Sequence, residues 1–168
     1  MPFKGITVFL LISFVYHNSV LGQIDTVTVS LNDSSKVILE RTLWDSGSQK
    51  VESYEGRFPY AIDGEIIYGT DGDLPSSKLT SVKLFIGKES YELETKGMFN
   101  PWFLDYFNGE HFILKPYGIK GFKLLAYFSD GAGTYGAEWK ILEKSSIRTI
   151  LTNEESILFE YFENQFRD

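Results

Sequence analysis

The chain runs to 168 residues with 16 basic and 23 acidic side chains, a net charge of −7, and no cysteine. Without cysteine there is no disulfide framework, no thiol nucleophile and no site for a lipoprotein anchor, so packing alone must hold the fold. No basic stripe runs along the sequence to neutralise phosphates, which sets nucleic acid aside as a partner.

The first residues read as a leader. Lys4 is the only charge before Gln23, an apolar run extends from Ile6 to Tyr16, and Val20 and Gly22 suit cleavage before Gln23. That run is far shorter than the roughly 20 residues that cross a membrane. The order basic, apolar, small predicts a signal peptide over 1–22 and export to a periplasm or beyond the cell. No membrane span is expected after cleavage. Residues 23–168 then form one domain, long enough to bury a core.

Ile24 to Leu31 alternates, with Val27, Val29 and Leu31 on one side and threonine or serine on the other. After a turn at Asn32-Asp33-Ser34, an extended pattern resumes from Lys36 to Trp44. A loop at 45–48 leads to a short strand over Lys50 to Tyr54. Phe58 to Ile62 and Glu65 to Tyr68 flank Asp63-Gly64, a strong hairpin signal, and Pro59 points to a sheet edge. A polar loop from Gly69 to Ser77 follows.

Leu79 to Thr95 carries the most consistent local pattern. With Gly87-Lys88 as a II′ turn, Val82 faces Leu93, Leu84 faces Tyr91, and Lys83 faces Glu92. A slip of one residue would expose the apolar set, so the register is fixed. Beyond an aromatic corner at 96–102, Trp102 to Phe107 and Glu110 to Lys115 flank Asn108-Gly109, a second hairpin signal. Ile119 to Phe128, Tyr135 to Leu142 and Ser146 to Leu151 complete the extended segments. Thr152 and Glu155 have capping-box spacing, and Leu158, Tyr161, Phe162 and Phe166 recur at helical spacing, which predicts a closing helix. About eleven short strands and this helix predict an all-β domain, an antiparallel sandwich or a strongly bent barrel-like sheet.

Few residues suggest chemistry. Gly131 to Gly136 spells G-x-G-x-x-G, but the next segment alternates with period two, so no helix N-terminus would meet a nucleotide's phosphates. No cofactor is expected. His111 is the only histidine after the leader, which leaves no histidine metal cluster. Asp63, Asp71 and Asp73 offer oxygen ligands at a spacing that matches no calcium loop, so no metal site is predicted. Glu138 beside Trp139, and Asp105 on an aromatic segment, are the carboxylates best placed for a small glycan hydrolase.

The preferred site is the aromatic corner, Phe99, Asn100 and Trp102, where rings and an amide suit stacking on a sugar or filling a partner's pocket. Asp130 and Tyr135, bracketing the glycine-rich loop, form a second patch. The leading expectation is a non-enzymatic exported domain that binds a protein or glycan. One alternative is an acidic inhibitor or immunity-type protein acting on a cationic enzyme. The other is a carboxylate-based glycan hydrolase.

Overall fold

A computed structural model describes residues 24–101, 109–128 and 131–164. Four strands, β1 (Ile24–Asn32), β2 (Ser35–Leu43), β6 (Ser77–Ile86) and β7 (Glu89–Leu93), form one antiparallel sheet in the order β1-β2-β6-β7. A second sheet is ordered β11-β10-β9-β8, from β8 (Phe112–Tyr117), β9 (Gly121–Phe128), β10 (Tyr135–Leu142) and β11 (Ser145–Thr152). A three-stranded ribbon, β3 (Val51–Tyr54), β4 (Phe58–Ile62) and β5 (Glu65–Ile66), stands apart from both. The fold is all-β and sandwich-like, as the alternation predicts.

Period-two patterning decides which side chains meet between the sheets. Val29, Val37, Leu39, Leu79, Val82, Leu84 and Leu93 from one sheet meet Leu124, Ala126, Phe128, Tyr135, Ala137, Trp139 and Ile141 from the other. The β6–β7 hairpin has the predicted register, Val82 opposite Leu93, Lys83 opposite Glu92 and Leu84 opposite Tyr91. Its outward charges pair at 3.1 Å. Side chains also stitch one edge of the sandwich. The Trp139 indole donates to the Glu94 carbonyl at 3.0 Å, Ser146 Oγ to that of Glu92 at 2.6 Å, and Arg148 to that of Lys96 at 2.6 Å.

The turn chemistry is mostly as predicted. Gly87 alone has positive φ in its turn, whereas Asp63 and Gly64 both do, at 52° and 78°. Several strand boundaries differ by one or two residues. The strand expected over Glu110 to Lys115 runs from Phe112 to Tyr117, preceded by a 3₁₀ turn at Gly109–His111. The hairpin partner proposed over Trp102 to Phe107, and the turn residue Asn108, lie outside the described residues.

At the C-terminus, α1 (Glu155–Ile157) continues as a π-helix over Leu158–Glu163. The capping box does not form. Thr152 still pairs with Gly136 at the end of β11, so its hydroxyl accepts from the Glu154 amide at 3.0 Å and Glu154 is the N-cap. Leu158 and Phe162 pack on Leu125, across the outer face of the second sheet. A Cβ on Gly136 would lie 2.8 Å from the Phe162 ring, so only glycine allows this approach.

The ribbon is joined to the sandwich where the backbone of Gly69 crosses that of Phe99. A Cβ on Gly69, at φ +92°, would fall 2.0 Å from the Phe99 carbonyl oxygen. Gly64 also has positive φ, yet a Cβ there meets nothing within 4 Å. Gly69→Ala should therefore cost about 3 kcal/mol or more and Gly64→Ala about 1 kcal/mol. Urea midpoints check the ranking; equal losses would deny the junction its tightness.

Candidate functional site

Of the predicted aromatic corner, Phe99 lies inside the molecule. Phe99 is 3% exposed and packs with Ile62 and Ile67, its ring edge-on to Trp44 at 6.4 Å. Asn100 sits at φ +42°, a left-handed conformation that asparagine tolerates. Its Oδ1 accepts from the Ser76 and Ser77 amides at 2.8 and 3.0 Å and from Ser76 Oγ at 3.1 Å. Its Nδ2 donates to the Gly69 carbonyl at 2.9 Å. Tyr135 is fully buried and stacks on Phe128 at 4.8 Å. Phe99 and Tyr135 thus cannot offer ring faces to a ligand, and Asn100 clamps three chain segments together. Trp102, Asp105 and Asp130 lie outside the described residues.

The remaining candidates have local roles. The Asp63 carboxylate accepts from the Lys50 amide at 2.8 Å and Gln49 Nε2 at 3.2 Å, while Asp71 and Asp73 are exposed. Among the described residues, no three histidine, aspartate or glutamate side chains converge as for a metal. His111 is half-buried in its 3₁₀ turn. The glycine-rich segment turns at 131–133 and enters β10, so no helix follows it.

Among the described residues, three exposed aromatic side chains gather on the ribbon. Tyr54 and Phe58 are directly opposite on β3 and β4, and are 65% and 54% exposed. Tyr60, at the bulge where β4 gains a residue on β3, is 50% exposed, and its hydroxyl donates to Glu52 at 3.4 Å. At the other end of the hairpin, Val51 and its partner Ile62 join Ile67, Phe99 and Trp44 in a satellite core. The ribbon is therefore anchored at one end while presenting three rings outward. Its alternation and Pro59 reveal a ribbon in the sequence; nothing there distinguishes these rings from the buried ones.

The second polar constellation is enclosed. Glu138 points outward from β10 yet is only 2% exposed, because the π-helix covers it. Thr149, the extra residue of a bulge in β11, donates to Glu138 Oε1 at 2.6 Å. The Tyr161 hydroxyl donates a very short hydrogen bond to Oε2, and Lys123 Nζ lies 3.3 Å from that oxygen and 2.8 Å from the Tyr161 oxygen. Burial pushes the Glu138 carboxyl up, but hydrogen bonds from Thr149 and Tyr161 and the Lys123 charge outweigh it and hold it below its ordinary value. Burial pulls Lys123 down, and Tyr161 and Glu138 reverse that to leave it raised. Tyr161 is raised by burial and by the Glu138 carboxylate beside it. These opposed shifts describe a satisfied buried ion pair; a general acid or base would need access to substrate.

No family model, curated protein or solved structure matches the chain.

A carboxyl with a depressed folded pKa contributes stability that is complete above its unfolded value and disappears as pH falls through the folded one. Glu138→Gln leaves Lys123 without its buried counter-charge and should cost about 3 kcal/mol at neutral pH. The gap between wild type and variant should narrow below the ordinary carboxylate value of 4.5. Denaturant titrations from neutral to acid pH measure it, and a gap that widens in acid contradicts this assignment.

Proposed function

We propose that this chain is an exported, non-enzymatic binding domain whose ribbon docks a glycan or a protein. The carrying observation is the exposure of Tyr54, Phe58 and Tyr60 on a ribbon that is anchored at one end by its own core. Tyrosine and phenylalanine supply large contact area at low conformational cost, and aromatics concentrate where partners dock. Glu52, beside Tyr60, and Lys50, paired with Glu52 at 3.2 Å, add polar groups at the same edge. The satellite core anchors the ribbon backbone through Val51 and Ile62, so a partner meets a ribbon already in place, which lowers the ordering cost of binding.

A further observation supports part of this reading. Glu138 has both carboxylate oxygens bonded and is covered, which argues against a hydrolytic role.

Capture from the source organism's envelope and medium, comparing wild type with the Tyr54→Ala/Phe58→Ala/Tyr60→Ala variant, tests the proposal. Loss of these rings should weaken retention on polysaccharide, or recovery of a protein partner, at least tenfold. Capture of a basic enzyme that is steeply weakened by salt and indifferent to the three rings would replace this reading with the inhibitor one.

A further inference from the structure

The outer face of the second sheet is divided in two. Ile113, Leu125, Tyr127 and Ile150 lie under the C-terminal helix. Beyond the helix, the strand register aligns Lys115, Lys123 and Lys140 in one row across β8, β9 and β10. Like charges directly opposite one another in a sheet are destabilising. Glu138 offsets part of this, 3.3 Å from Lys123 and 4.0 Å from Lys140. The turns at the same end add Lys120 and Lys144, with Glu143 as the acid between them. Lys123 is held by Glu138 and Tyr161, so the row brings Lys115 and Lys140 to the end of the sheet whose turns carry Lys120 and Lys144, in a chain of net charge −7.

The row ends on apolar side chains. Lys140 Nζ sits 4.9 Å above the Tyr117 ring, and the Leu142 side chain lies across the backbone of Gly121. Between these two hairpin ends is a groove of about 610 Å³ lined by Tyr117, Ile119, Lys120 and Leu142 among others. Ile119, at the tip of the turn between β8 and β9, is 100% exposed. A soluble polyanion would need the lysines alone. Lysines set behind a projecting isoleucine, with tyrosine and leucine beside it, match the layering of an anionic bilayer, where phosphates lie outside the acyl boundary.

We propose that this face seats the domain on an anionic lipid bilayer, with Ile119 entering the interface and Lys115, Lys120, Lys140 and Lys144 meeting headgroup phosphates. The surface is separate from the aromatic ribbon and does not depend on its role.

Cosedimentation tests the proposal, using protein recovered from cells expressing the full chain. The probes are vesicles of equal parts phosphatidylglycerol and phosphatidylcholine, and vesicles of phosphatidylcholine alone. Wild type should bind the anionic vesicles preferentially, and less as salt rises. Lys115→Gln with Lys120→Gln should weaken binding about 25-fold, roughly fivefold per lysine, and Ile119→Asp at least tenfold. Thermal melts establish that these surface variants stay folded, and the ribbon variant should bind vesicles like wild type. Equal binding to both vesicle types would overturn the proposal, as would variants that bind like wild type. So would loss on lysine substitution with Ile119→Asp unaffected, which would leave only a site for soluble anions.

Discussion

Strand β10 is buried on both faces from Tyr135 to Trp139, and most of the architecture follows from that. Toward the sandwich it contributes Tyr135, Ala137, Trp139 and Ile141, all nearly without exposure. On its other side are Gly136, against the Phe162 ring, and Glu138, beneath Tyr161. A carboxylate in such a place is tolerable only if paired and fully hydrogen-bonded. Three neighbours from three elements meet that demand: Lys123 from β9, Thr149 from the β11 bulge and Tyr161 from the helix. The bulge has a structural reason, since the extra residue brings a hydroxyl to the buried oxygen.

The aromatic residues divide between two tasks. Phe99, Trp44, Phe128 and Tyr135 sit in or against the two cores, and the ribbon carries its own rings outside. Asn100 connects these regions, holding Gly69 and Ser76-Ser77 against the segment after β7. A binding surface on a short ribbon gains precision from such a clamp, because the rings move with the scaffold. The lysine face is built differently, from register alone, and needs no dedicated core.

Strands and turns were legible in the sequence because both are local. Tyr135 to Leu142 alternates so strictly that its inward set could be named, and Asp63-Gly64 and Gly87-Lys88 dictated their turns. Third-layer burial was not legible. Glu138 alternates like a solvated residue, and only the returning helix makes it a buried charge. Phe99 and Asn100 resemble a surface corner because aromatic density looks the same inside and out. Phe99 is interior because Tyr68 bridges to Met98 and Lys78 to Phe99, contacts between segments far apart in the chain. The lysine row was hidden similarly, since its members come from three strands. Thr152 has capping spacing, but pairing with Gly136 keeps it extended.

Native-state hydrogen exchange measures the double burial of β10 most directly. Amides of 135–142 should exchange only through global unfolding, while those of the ribbon, 51–66, open at lower free energy because fewer contacts hold them. Exchange of the β10 amides together with, or ahead of, the ribbon would contradict a structure organised around that strand.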